Sequence, residues 1–147
     1  MKLLVVKRPE ESISSSLWQV SSEWQRGVKK ALDSIGLTPS QSMILSSLLF
    51  LAKQKKSITQ IDLSLHSKID PMTTSTIIRT LERKELIKRK EHDTDTRAKA
   101  VVLTSYGTKT TRQAVKIIEK FDAQFFEGLG NKLKGFNSSL LTLLKSD

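Results

Sequence analysis

Apolar residues recur along the N-terminal quarter of the chain at helical spacing. Ile13, Leu17, Val20, Trp24, Val28, Ala31, Leu32 and Ile35 follow at steps of three or four with one adjacent pair, and draw a single stripe down a long helix that Gly36 ends. A second helix opens in LTPSQSMILSSLLFLAKQKK, where Thr38 fits the N-cap and Pro39 the first helical position. Met43, Ile44, Leu48 and Leu51 then turn inward, so this helix is expected to be almost wholly buried. Ser57 and Ile58 form a short extended link. Thr59 and Asp62 make a capping-box start for a short third helix, and Asp70-Pro71 starts a fourth, with Thr74, Ile77, Ile78 and Leu81 on its buried face. After Leu86 the period changes: LIKRKEH and AKAVVLT read as two strands joined by the turn formers DTDTR. From Ser105 a helical pattern resumes through Val115, Ile118, Phe121 or Asp122, and Phe125, over about 35 Å. It runs to the glycines at 128 and 130, and a last helix from about Asn131 carries Leu133, Phe136, Leu140 and Leu144.

Helix, tight turn, helix and a two-stranded hairpin describe a winged helix-turn-helix, whose second helix enters a DNA major groove while the hairpin reaches the neighbouring backbone or minor groove. The expected fold is mainly α with a small β-hairpin wing. Residues 1–147 form a single domain, with a winged lobe at 37–104 flanked by long helices at 10–36 and 105–147. Opposite its buried face, the fourth helix presents Met72, Thr76, Arg79, Thr80 and Arg83, with Thr73 at its N-terminal edge. Hydroxyls and an arginine there can bond phosphates and base edges, and the helix N-terminus favours a phosphate.

Composition narrows the partners. The 147 residues suit one domain with a real core. No apolar run is long enough to span a bilayer, and the opening MKLLVV is followed at once by Lys7, Arg8 and Pro9, so the sequence reads as cytoplasmic, without a membrane partner or an export signal. The absence of cysteine excludes disulfides and thiolate-bound zinc. A net charge of +10 suits a polyanion, with nucleic acid ahead of an anionic membrane surface. Residues 1–56 carry 9 bases and 4 acids, 57–104 carry 9 and 7, and 105–147 carry 7 and 4, so charge alone does not locate the binding surface.

The hairpin does. An arginine at its tip, Arg97, can enter a narrow minor groove if the turn is held in place. Asp95, two residues before it, can accept from turn amides or pair with a nearby base. Lys88, Arg89, Lys90 and Lys99 add phosphate attraction along both strands. Arg89, Asp95, Arg97, Leu103 and Thr104, standing as R-x5-D-x-R-x5-L-T, resemble the wing signature of the MarR family of bacterial transcription regulators. Leu37-Thr38-x-x-Gln41, Leu63 and LERKELIKR agree in order, so the resemblance covers roughly residues 36–107. It implies a homodimer joined through the first and the last two helices. Each dimer would act on an inverted-repeat operator of double-stranded DNA as a sequence-specific regulator, a repressor in the first instance. In this reading Met72, Thr73, Thr76, Arg79, Thr80, Lys90, Arg97 and Lys99 contact DNA, and Asp95 and Arg89 stabilise the wing. The apolar stripes of the first, fifth and sixth helices agree, since a winged lobe of some fifty residues cannot cover them all. Two positions depart from the family: Glu85 stands where glycine is usual, requiring a left-handed backbone or a reshaped turn, and Ser64 replaces a small apolar residue, loosening helix packing if its hydroxyl is unpaired.

Other constellations are weaker. The family often binds small aromatic acids or phenols between the dimerisation helices and the DNA-binding lobe, which makes Trp18, Trp24 and Met43 candidates for an effector pocket. The structural alternative for Trp24 is plain core packing, and for Trp18 a dimer contact. His66 and His92 read as surface histidines, not metal ligands. Asp93 and Asp95 lack a nucleophile or a closed pocket, so neither an enzyme nor a cofactor is expected. Lys53, Lys55 and Lys56 read as solvating a helix end. The alternative function is a winged-helix module for protein contact that binds no specific DNA.

Overall fold

The computed structural model describes residues 9–95 and 99–145. Eight main elements follow in order: α1 (Ile13–Leu32), α2 (Pro39–Leu51), α3 (Gln60–Ser67), α4 (Pro71–Arg83), β1 (Ile87–Glu91), β2 (Lys99–Leu103), α5 (Ser105–Phe125) and α6 (Leu133–Leu144). The three short-range starts form as their residues dictate. Thr38 Oγ1 accepts from the Gln41 amide at 3.2 Å while Gln41 Oε1 accepts from the Thr38 amide at 3.1 Å. Thr59 and Asp62 close a second capping box at 3.2 and 2.8 Å, and Asp70 Oδ2 accepts from the Thr73 amide at 2.9 Å ahead of Pro71.

β1 and β2 pair antiparallel, Ile87 opposite Leu103 and Glu91 opposite Lys99. The Val101 amide donates to the Ile58 carbonyl at 2.7 Å, so the 57–58 link lies against β2 as a short third edge. The core fills the winged lobe and the parts of α1 and α5 that lie on it: Val28 and Leu32 from α1, Ile44, Leu45 and Leu48 from α2, Leu63, Ile78 and Leu81 from α3 and α4, Ile87 and Val101 from the hairpin, and Ala114 from α5.

One expectation is corrected. Met43 does not turn inward; it is 44% exposed, because α2 leaves one side to the hollow beside α1 and α5. Along the stripe of α1, Val28 and Leu32 are buried and Trp24 and Ile35 pack against the core, whereas Ile13, Leu17 and Val20 stay exposed, as does Trp18. α6 buries none of its residues, and starts at Leu133 because a 3-10 segment, Glu127–Lys132, bends at Gly130. No single described helix is long and apolar enough to cross a membrane.

Candidate nucleic-acid interface

α4 divides cleanly. Thr74, Ile77, Ile78 and Leu81 are buried, while Met72 is 81% exposed, Thr73, Thr76, Arg79 and Arg83 are exposed and Thr80 is half-buried. The hydroxyls are not idle donors. Thr76 Oγ1 donates to the Met72 carbonyl at 3.2 Å and Thr80 Oγ1 to the Thr76 carbonyl at 3.1 Å, while Arg83 Nη2 donates to Thr80 Oγ1 at 3.2 Å. The helix N-terminus is already served by an anion: the hydroxyl and amide of Thr73 hold the Asp70 carboxyl below its ordinary pKa.

The turn before α4 is tied rather than loosened. Ser64 Oγ donates to the Ile69 carbonyl at 2.6 Å, and Thr74 Oγ1 donates to the same oxygen at 3.2 Å. Ser64 is buried with its hydroxyl satisfied, so the polar residue fixes the angle between α3 and α4.

The turn after α4 shows how Glu85 is accommodated. Its φ is 63°, in the left-handed region, with no reshaping of the turn. The Leu86 amide donates to the Leu81 carbonyl and the Glu85 amide to the Glu82 carbonyl, both at 3.0 Å, which is the paired bond pattern that closes a helix on a left-handed residue. Thr104 holds the other side: its hydroxyl donates to the Glu85 carbonyl at 2.8 Å and accepts from the Gly107 amide at 2.9 Å as the N-cap of α5. The Thr104 amide adds a bond to the Leu86 carbonyl at 3.1 Å. The Leu-Thr end of the wing motif thus has a mechanical reason, since one hydroxyl joins the exit of α4, the base of the wing and the start of α5.

The strand register separates the basic residues read together from the sequence. Lys88 and Lys90 alternate with Arg89 and Glu91, so they leave opposite faces of the hairpin. Lys90 sits opposite Ala100, while Lys99 sits opposite Glu91 on the face that Arg89 shares. Arg89 Nε lies 3.7 Å from Glu82 Oε2, bracing β1 against the last turn of α4. Arg97 lies outside the described residues. Asp95 is half-buried, and its amide donates to His92 Nδ1 at 3.0 Å. His92 is not the surface histidine expected; its side chain is 16% exposed and its ring takes the turn amides. Sequence reasoning missed it because the local signal, a histidine two and three residues before the amides it accepts, resembles any polar turn. Asp93 is held below the usual carboxylate range, first by the Ser57 hydroxyl and also by the nearby charge of Lys56. His66 stacks on Phe50 with ring centroids 5.1 Å apart and shares a 2.9 Å hydrogen bond with Ser47.

Trp24 and Met43 come together. They line a cavity of about 520 Å³ with Pro39, Ile69, Val115 and Ile118, bordered by Glu119 and Asp122. Trp24 also packs against the core, and its Nε1–H donates to Asp122 Oδ1 at 2.8 Å. Lys55 pairs with Asp62 at 3.0 Å beside the start of α3. Among the described residues no cluster of three or more His, Asp or Glu is placed to hold a metal.

The sequence and the fold have close relatives. The MarR family pattern matches residues 37–99. The uncharacterized HTH-type transcriptional regulator YdcH of Bacillus subtilis is 35% identical over 139 residues, covering 95% of this chain and 94% of that protein. The S. aureus MepR–DNA complex superposes with a TM-score of 0.80 at 26% identity, covering 92% of this chain and 98% of that one. CouR from Rhodococcus jostii RHA1, bound to p-coumaroyl-CoA, superposes with a TM-score of 0.79 at 20% identity over 95% of each chain.

Proposed function

The chain belongs to the MarR family of transcriptional regulators, and from that premise we propose that it binds operator DNA as a homodimer and represses transcription, with a small ligand tuning its affinity. The observation that carries this reading is the outward face of α4, exposed and free of acids from Met72 to Thr80. Met72, Thr73, Thr76, Arg79 and Thr80 enter the major groove, where a methionine side chain suits a thymine methyl and the hydroxyls and guanidinium suit base edges and phosphates. Lys90 and Lys99 attract the backbone from the two faces of the wing. Arg97 at the tip takes the minor groove, and Asp95 and Arg89 steady the hairpin that carries it. MepR, a relative solved with DNA, shares this fold.

The dimer follows from what a single chain leaves uncovered. Residues 10–36 and 105–147 form the dimerisation region and 37–104 the DNA-binding lobe in this reading. Ile13, Leu17, Trp18 and Val20 of α1 and Leu133, Leu141, Leu143 and Leu144 of α6 are exposed, and an open hollow of about 690 Å³ between α5 and α6 is lined by Phe126, Phe136 and Leu140. A second copy covers this apolar surface and sets two wings about one helical turn apart, on an inverted repeat of about 16–20 base pairs.

The cavity at Trp24 and Met43 is the ligand site in this proposal. Its size suits a small aromatic molecule, and the carboxylates of Glu119 and Asp122 at its border favour a neutral phenol over a free aromatic acid. We assign no catalytic step to the chain, and its place of action is the bacterial cytoplasm, with the DNA it controls.

Selection of bound sites from a random duplex pool tests the whole reading, with a palindrome as the expected result. Log affinity should fall steeply with log salt, and Arg97→Ala should cost about 1–3 kcal/mol of operator binding without dissociating the dimer. A flat salt response with no enriched sequence favours the protein-contact alternative, and a monomeric mass at micromolar concentration ends the dimer.

A further inference from the structure

The turn that leads from β1 to the wing tip is organised around one ring nitrogen. His92 Nδ1 lies 3.0 Å from the Asp95 amide nitrogen and 3.2 Å from the Thr94 amide nitrogen, with the Thr94 hydroxyl at 3.3 Å. An amide can only donate, so these contacts require Nδ1 to offer its lone pair and the ring to keep its proton on Nε2. The same Nδ1 stands 3.2 Å from Asp93 Oδ1, an acceptor that it can bond only when it carries a proton. One nitrogen thus faces two incompatible sets of partners. Its protonation decides which set it serves.

The neighbours make this choice consequential. Asp93 is anchored independently, because its amide donates to Ser57 Oγ at 3.2 Å from the link before α3. His92 Nδ1 accepts from the amides of the next two residues. The ring is largely enclosed, so losing the amides is not a side chain drifting in solvent. The charged groups around it are Asp93 and Asp95 in the turn, Glu91 and Lys99 opposite each other where the strands end, and Lys56, whose charge acts on Asp93. Asp93, already held in its ionised form, is ready to take a protonated Nδ1.

We propose that His92 is a positioning residue for DNA binding: with Nδ1 unprotonated it takes the Thr94 and Asp95 amides of the wing turn, and protonation swaps these two bonds for one to Asp93 and changes the shape of that turn. This deepens the DNA-binding reading and rests on it. Histidine is the side chain whose charge changes between about pH 5 and about pH 8, so acidification over that range weakens the complex. The sign is diagnostic. A positive charge added near a polyanion would by itself tighten binding.

The test is the affinity of the full-length protein for its selected operator duplex, at constant salt, from about pH 8 to about pH 5.5. The wild type is expected to lose about tenfold on acidification, the scale of one groove contact. His92→Leu, which can accept nothing, is expected to bind about as weakly at every pH as the wild type does in acid. His92→Asn offers an oxygen to the same two amides but does not titrate, so it should rescue binding and flatten the profile. His66→Gln, at the other histidine, should keep the wild-type profile. Two-dimensional NMR of the free protein provides an arm that needs no DNA: the proton should sit on Nε2 at neutral pH, and the Thr94 and Asp95 amides should shift as His92 titrates. A protonated Nδ1 at neutral pH, amides that ignore the titration, a pH profile retained in His92→Asn, or tighter wild-type binding in acid would each overturn the proposal. Failure to bind any duplex at any pH would instead remove the DNA-binding reading, while the NMR arm still decides the switch.

Discussion

Thr104→Val isolates the hydroxyl that joins three elements. Valine has the same branching at Cβ and keeps the backbone bond to Leu86, so the change removes the bond the hydroxyl accepts and the one it donates, the latter shared between the Glu85 and Leu86 carbonyls, with little packing lost. The first is the N-cap of α5, from the Gly107 amide at 2.9 Å, whose loss costs about 1 kcal/mol. The second runs to the Glu85 carbonyl at 2.8 Å; because that site is exposed, water replaces part of it and the net loss is about 0.5–1 kcal/mol. The two together are about 2 kcal/mol, or about 4–8 °C in Tm for a chain of this size. Circular dichroism melting and urea titration at matched protein concentration measure this. Thr104→Ser keeps both bonds and should lie within about 0.5 kcal/mol of wild type. A valine variant as stable as wild type, or a serine variant no better than valine, would refute the role given to the hydroxyl.

Glu85→Gly should stabilise the protein by about 0.5–1 kcal/mol in the same melting assay, because a left-handed L-residue costs about 1–2 kcal/mol and glycine gives part of that back through unfolded-state entropy. Gly107→Ala should do the opposite and severely, since an added Cβ falls on the Leu86 carbonyl, backbone that the wing and α4 hold in place; a loss of about 2–4 kcal/mol is expected by denaturant titration. Asp62 tests the pH dependence of the α3 start. Burial raises its pKa, but hydrogen bonds from the Thr59 amide and the Lys55 ammonium outweigh it, so the folded pKa lies below the ordinary value. Its contribution is therefore fully present above about pH 4 and lost as pH falls through the lower folded value, so urea midpoints of wild type and Asp62→Asn should differ near neutrality and converge in acid.

The helix starts and the buried face of α4 were legible because each depends on groups three or four residues apart. Thr38 with Gln41, Thr59 with Asp62 and Asp70 with Thr73 find their partners within one turn, and Thr74, Ile77, Ile78 and Leu81 share a face by helical period alone. The period change after Leu86 likewise marked the hairpin, and its motif marked the family. The remaining features were decided by distant parts of the chain. Whether Ser64 loosens a helix pair depended on the Ile69 carbonyl reaching its hydroxyl. Which lysines share a face of the wing depended on strand register, and Met43 lost its expected burial because α1 and α5 stand away from that side of α2. His92 looked like solvent decoration until the turn folded its amides onto the ring. Local patterns in the sequence set where elements begin, end and turn their apolar sides; only packing between elements determined which polar atoms meet, because a hydrogen bond's value depends on a geometry that residue type does not encode.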